Sequence, residues 1–275
     1  MSLEAIEHTE TTSSSPPRCE SARLQDGAAI IAVAVLFVTA WQFVPPLLGI
    51  PRYIIPTFSQ CMVEIPVMIA QDALFTQIFS SAWAALAGFV LGSLFGAACG
   101  YGLGLSPLFE RVLAPYLLAL QIAPKVAFAP LFIMWFGYND LPKVLVTALI
   151  VFFPILVNVL QAMKTVDPDL VRLARAFSMR RAQIFWKVEF PASMPSLTAG
   201  LRIGATLAVI GVTVGELVGG NSGLGYLITY GEGQADTAMV FDAIILLTLL
   251  GIGLYGAVAA LERRILHYLP RIAHS

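Results

Sequence analysis

The sequence predicts an all-α, polytopic membrane protein with six transmembrane helices. Of its 275 residues, 58% are hydrophobic and only 12% charged, and the mean hydropathy is +0.81. A soluble domain of this length has too little polar surface to cover so apolar a chain, so lipid must be part of its solvent. The apolar residues also gather in long blocks, whereas a barrel shows alternating segments of about 10 residues. At about 20 residues per spanning helix, the chain has room for five to seven spans. The formal net charge of -1 offers no basic footprint for nucleic acid.

Residues 1–27 read as a disordered cytoplasmic tail, because the polar run Thr11 to Pro17 and several Glu cannot bury enough apolar area to order themselves. The apolar stretch that follows starts too late for a signal peptide and is long enough to stay in the membrane. It is the first span, residues 28–48, of a transmembrane domain covering 28–264. Pro51 and Pro56 punctuate the next connection, and residues 57–70 are too short and interrupted to cross, which predicts an interfacial helix.

The second span, residues 79–105, lies in a stretch free of charge. It carries Gly88, Gly92, Gly96, Gly100 and Gly104 at four-residue intervals, which lines one helix face with hydrogens and lets another backbone approach closely. The third span, 113–136, contains Pro115, Pro124 and Pro130, and the fourth, 141–163, contains Pro154. Prolines inside spans bend helices that line cavities when neighbours satisfy the freed carbonyls. A polar loop, 164–191, precedes the fifth span, 193–218, and the sixth, 239–261. Residues 265–275 form a cytoplasmic tail.

Cys19, Cys61 and Cys99 lack metal-ligand spacing. His8, His267 and His274 all lie in the tails, which argues against an intramembrane catalytic, haem or zinc histidine. The cations are unevenly placed. Lys164, Arg172, Arg175, Arg180, Arg181 and Lys187 crowd the loop, Arg263, Arg264 and Arg271 follow the last span, and residues 219–238 contain none. This asymmetry puts the loop and both termini in the cytoplasm, with Arg52 and Lys143 as minor exceptions on the outer side.

The loop opens on Asp167, Pro168 and Asp169, an N-cap with proline at the first helical position. Leu170, Leu173, Ala174 and Phe177 follow on one stripe, Ser178 and Met179 read as a turn, and a second short helix is expected from Arg180 to Phe190, stopped by Pro191 and Pro195. A charged hairpin between two spans is either a solvated connection or a docking element. The stretch from Val166 to Pro195 resembles the EAA loop of binding-protein-dependent ABC importer permeases, in which it forms the coupling helix that docks on a cytoplasmic ATPase. The segments Ala129 to Gly137, Leu141 to Val144, Phe152 to Pro154, Gly200 to Ile203 and Gly223 to Ile228 resemble, in register, the branch that handles nitrate, sulfonates, taurine and pyrimidine or riboflavin precursors.

The resemblance implies that Asp169, Arg172, Leu173, Ala174, Arg175, Phe177 and Ser178 serve ATPase coupling. Arg172 stands at the family's glutamate position and Ser178 at its usual turn glycine. The resemblance also implies a type I importer architecture in the bacterial inner membrane. Its partners would be a second copy of the chain, an ATPase dimer, an extracytoplasmic substrate-binding protein and membrane lipid. The chain has no phosphate-binding Gly-x-x-x-x-Gly-Lys-Ser/Thr loop, so ATP and Mg would be bound by the partner ATPase, with no cofactor and no catalytic or metal residue in this chain.

Ionisable residues at membrane depth need a partner or a role. Lys125 either attracts an anionic solute or snorkels to an interface. Arg202 and Glu216 are 14 residues apart, roughly 21 Å along a straight helix, so each needs a partner elsewhere and suits a structural or gating role. Gly200 and Gly204, then Gly211, Gly215 and Gly219, form two further ladders, which the resemblance assigns to close approach of two copies. Two other readings stay open. A secondary transporter calls for midplane cation ligands and internal repeats, and a non-transporting scaffold has no use for a coupling hairpin.

Overall fold

The computed structural model describes residues 18–266; the expected tails lie outside the described residues up to position 17 and from position 267. The described chain is helical throughout: α1 (Arg18–Leu47), α2 (Phe58–Gln71), α3 (Leu74–Gly104), α4 (Pro107–Ile122), a 3-10 turn (Lys125–Phe128), α5 (Ala129–Phe136), α6 (Asp140–Thr165), α7 (Pro168–Ala176), α8 (Arg181–Ile184), a π turn (Phe185–Glu189), α9 (Phe190–Gly219), α10 (Leu224–Gln234) and α11 (Thr237–Ile265). Five of these stretches are long and apolar enough to cross a membrane, and the bent pair α4–α5 makes a sixth.

The core is a layer of α3, α6 and α9 with α6 in the middle. On one side, a Cβ on Gly92 would sit 2.5 Å from the Ala148 carbonyl oxygen, one on Gly96 2.6 Å from that of Phe152, and one on Gly100 2.8 Å from that of Leu156. Backbone oxygens cannot swing aside, so glycine is what brings α3 this close to α6. On the other side, a Cβ on Gly211 or Gly215 of α9 would sit 2.7 Å from the Cα of Thr147 or 2.8 Å from that of Lys143. The α9 ladder therefore faces α6 of its own chain, correcting the expectation that it meets a second copy. Val151, Ile155 and Val159 of α6 fill the spaces between the ladders, against Ala205 and Ala208.

Four local expectations need revision. α1 starts at Arg18, inside the tail expected through residue 27, because Ala22, Arg23, Leu24 and Gln25 are helix formers that continue the apolar helix turn by turn. In the third span, Pro115 sits within α4 without ending it. Pro124 makes the break by holding Ala123 extended at ψ 137°, while Pro130 lies in the first turn of α5, where its missing N–H is harmless. The α4–α5 bend is 81°. Glu110 in α4 pairs with Lys164 at the last turn of α6, and α5 leads into the first turn of α6, so the bent unit still runs from one end of the bundle to the other.

The stop expected at Pro191 and Pro195 is absent: the chain stays helical from Arg181 to Gly219. The Phe190 N–H reaches back five residues to the Phe185 carbonyl, and this wider turn takes up the clash that a proline ring makes with the carbonyl four residues before it. Lastly, α10 occupies the connection between the fifth and sixth spans. Its glycines make it a poor helix by propensity. Leu224, Leu227 and Ile228 hold it by packing on Met68, Leu74, Met239 and Leu247.

The ladder geometry separates two glycines of α3. A Cβ on Gly102 meets nothing within 4 Å, so Gly102→Ala should leave the melting temperature of the detergent-solubilised protein unchanged or slightly raised, since alanine is favoured by about 1 kcal/mol in a helix interior. Gly92→Ala should lower it, at an overpacking cost of about 1–3 kcal/mol; equal melting temperatures for the two variants would show that the ladder is not tight.

Candidate functional site

Chemistry-bearing residues gather in three places: the hairpin at the basic end, the opposite end of the α3–α6–α9 layer, and the α4–α5 break. At the hairpin, the Asp167 side chain accepts the Asp169 N–H at 2.8 Å and so caps α7. Ser178 ends it with φ 55°, its N–H donating to the Arg175 carbonyl at 2.9 Å while Met179 donates to Ala174 at 3.2 Å. This paired closure leaves one residue in the left-handed region, normally a glycine. Ala174 is buried, whereas Leu170, Leu173 and Phe177 are 48%, 55% and 75% exposed. Only one member of the predicted apolar stripe thus packs on its own chain. Arg172 pairs with Asp169 at 2.9 Å in open solvent, a pairing that contributes little to stability, and Arg175 is exposed beside it.

The hairpin is bolted to the spans. Arg181 pairs with the buried Glu189 at 3.2 Å. The Tyr101 ring of α3 stacks edge-on against Phe185 with centroids 5.4 Å apart, and its hydroxyl lies 2.9 Å from Ser193 Oγ. Nearby, Arg202 of α9 pairs with Glu262 of α11, whose carboxylate also accepts from Thr198 at 3.3 Å. This supplies the partner that the fifth span does not contain.

At the opposite end, Glu216 is 1% exposed. Its two oxygens lie 2.8 and 2.9 Å from the Ser81 hydroxyl, and one also accepts the Gly225 N–H at 2.8 Å. Ser81 in turn accepts the Leu224 N–H at 2.7 Å. Lys143, likewise 1% exposed, donates to the Ser222 carbonyl and hydroxyl, both at 3.0 Å, and pairs with Asp140 at 2.9 Å. These groups clamp the turn between α9 and α10 onto α3 and α6.

Sequence reasoning passed over Lys143 as a charge on the outer side, although one of only two cations placed at the end poorest in Lys and Arg was itself a signal. It also missed Glu262, hidden in the basic run after the last span, and Asp242, buried in α11 against α2. Opposite Asp242, burial first and then the carboxyl's charge push the Cys61 thiol up to about 12, which makes it a poor nucleophile. At the break, Lys125 Nζ donates to the Gln121 carbonyl at 2.6 Å and lies 5.0 Å from the centre of the Phe153 ring. Among the described residues no His, Cys, Asp or Glu cluster is arranged to hold a metal ion.

Residues 88–267 match the family described as binding-protein-dependent transport system inner membrane component. The putative aliphatic sulfonates transport permease protein SsuC of Bacillus subtilis is 32% identical over 238 residues, covering 86% of each chain. The riboflavin transport system permease protein RibX of Chloroflexus aurantiacus is 36% identical, over 85% of this chain and 87% of that one. The formylaminopyrimidine transport permease protein ThiX of Halalkalibacterium halodurans is 33% identical, over 84% and 92%. The fold is also that of the MetNI methionine ABC transporter in an inward-facing conformation, with TM-score 0.63 and 17% identity over 71% of this chain and 98% of that one. The chain therefore belongs to the binding-protein-dependent ABC importer permeases, inner-membrane subunits that carry transport rather than enzymatic chemistry.

Proposed function

We propose that two copies of this chain form the translocation unit of an ATP-driven importer, moving a small anionic or heterocyclic solute by alternating access. Sulfonates, taurine, nitrate and pyrimidine or riboflavin precursors are the solute classes in view; among these, relatives are named for aliphatic sulfonates, taurine, formylaminopyrimidine and riboflavin. In this reading the hairpin and both termini are cytoplasmic and the six spans sit in the inner membrane among lipid. A cytoplasmic ATPase dimer holds ATP and Mg and docks on α7, while a substrate-binding protein delivers cargo at the opposite end.

The observation that carries the proposal is the outward face of α7. A nine-residue helix, capped at both ends and followed by an arm that packs on α3 and runs into α9, holds Leu170, Leu173 and Phe177 in the open beside Arg172 and Arg175. A merely solvated connection has no need to fix apolar side chains in that position, whereas an apolar groove on a partner would cover them. Between α9 and α11 an open groove of about 480 Å3, lined by Thr206, Ile210, Thr248 and Tyr255 among others, offers a half-pathway for the second copy to complete. The Arg202–Glu262 pair and the Glu216–Lys143 clamp sit near opposite ends of α9 and suit gating or structural roles.

Docking on α7 is tested with the chain, its ATPase and its binding protein reconstituted together. Ala174→Trp and Ser178→Trp should leave ATP hydrolysis running while transport falls at least ~10-fold, as expected when close to 1.4 kcal/mol or more of coupling is lost. Leu173→Asp, at an exposed position that folding does not need, should release the ATPase on co-purification. Normal transport by all three would sink the docking reading, and failure of the wild-type chain to bring down any ATPase would sink the importer reading itself.

Ser178→Gly is expected to do the reverse of the bulky changes. It relieves a left-handed residue at a gain of about 1 kcal/mol, so amide exchange across residues 168–180 should slow while coupling is kept.

A further inference from the structure

We infer that Lys125 presents its positive charge to a water-filled cavity at the middle of the membrane, where it contacts an acidic group of the transported solute. The inference rests on the importer reading and names the solute chemistry that the pathway prefers. Its first support is depth. Phe153, under the Lys125 ammonium, lies thirteen residues after Asp140 and twelve before Thr165, the ends of α6. At about 1.5 Å per residue, that is roughly 18–20 Å from either end of the helix, beyond the reach of a lysine side chain to an interface. Snorkelling therefore does not account for its position.

The second support is the company Lys125 keeps. None of the ion pairs among the described residues includes it. The charged residues of the elements that flank it, α4, α5 and α6, stand at the two ends, with Glu110, Arg111 and Lys164 at one and Asp140 and Lys143 at the other. Its stabilisation comes from the Gln121 carbonyl, left over in the last turn of α4 where the chain breaks, and from the face of the Phe153 ring. Those two contacts hold the ammonium in place and leave hydrogen-bonding capacity for a further acceptor.

The third support is exposure. α4 buries no residue within the chain, and Val126 next to the lysine is 48% exposed. A lysine at bilayer centre turned toward hydrocarbon is costly, and such residues face a bundle interior or an aqueous cavity. A helix interrupted at membrane depth is tolerated on the same condition. The broken span and the lysine thus make one statement, that this face is wet in the assembled transporter. A cation fixed at the midplane of a wet passage recognises a sulfonate, carboxylate or similar anion on the solute.

The test needs no knowledge of the cargo. In the chain with Cys19, Cys61 and Cys99 replaced by alanine, Val126→Cys is introduced, and the protein is co-expressed with its ATPase and binding protein. Membrane vesicles are treated with anionic sulfonatoethyl and cationic trimethylammonioethyl methanethiosulfonate. The thiol should react with both, and adding Lys125→Gln should shift the anionic-to-cationic rate ratio by about tenfold toward the cation, as one unit charge within a few ångströms implies. Lys125→Arg should restore the ratio.

A thiol that neither reagent reaches would place Val126 against lipid or protein and overturn the cavity. A ratio indifferent to Lys125 would overturn the anion contact. If loss of Cys61 impairs folding, it is retained, since its burial and raised thiol keep it silent. Loss of ATPase co-purification with the ratio shift intact would refute the importer reading alone, so the two ideas fail on different readouts.

Discussion

The contact on which the other elements depend is the backbone-to-backbone approach of α6 to α3 on one side and to α9 on the other. Both approaches use four-residue glycine ladders, and both press hydrogens against backbone atoms of α6. In lipid there is little hydrophobic drive to bring helices together, so association rests on dispersion at short range and on surfaces that allow it. Two ladders converging on one helix give α6 a fixed rotation and depth. Every polar contact at the ends of the layer then follows from that register, because Lys143 and Thr147, which meet α9, lie on the same helix as Ala148 and Phe152, which meet α3.

Polar side chains finish what the glycines begin. At one end Glu216 and Lys143 reach across to Ser81, Ser222 and the Gly225 N–H, tying the start of α10 to three different helices. Near the other end Arg202 ties α9 to α11 through Glu262. Between these two fixed regions the outward face of α9 carries Thr206, Ile210 and Thr213 into an open groove with α11. A helix fixed near both ends and open in the middle transmits displacement along its length without losing its packing on α6. That is the mechanical property that the proposed alternating access would ask of a helix lining a passage.

The hairpin is joined to this layer by continuous helix rather than by a flexible hinge. From Arg181 to Gly219 the chain does not leave helical conformation, and Tyr101 wedges the end of α3 against the π turn. A force applied at α7 therefore arrives at α3 and α9 together. Ser178 is the one residue of the hairpin in the left-handed region, and it sits where α7 gives way to that rigid helix. The hairpin is thus a stiff lever with its apolar face outward.

The membrane-spanning class, the helix-packing seams and the hairpin with its Asp167 cap were legible in the sequence. Each is written in local periodicity or composition: long uncharged blocks, glycine every fourth residue, apolar positions three and four apart. The family was legible too, through motifs kept in register along most of the chain. Partners across the bundle were not. Which helix a glycine ladder meets, that Glu216 meets Ser81, and that Arg202 meets Glu262 some sixty positions away depend on how α3, α6, α9 and α11 are rotated against one another. That rotation is set by close packing over whole helices, which no short window of sequence contains. The same holds for α10, a glycine-rich segment that becomes helical only because a buried cluster from three other elements waits for its leucines. The sequence by itself determined that the chain spans a membrane, which family it belongs to and where its packing seams and hairpin lie; the tertiary structure alone decided which charges meet a partner across the bundle and which, like Lys125, rest on a carbonyl and a ring instead of a carboxylate.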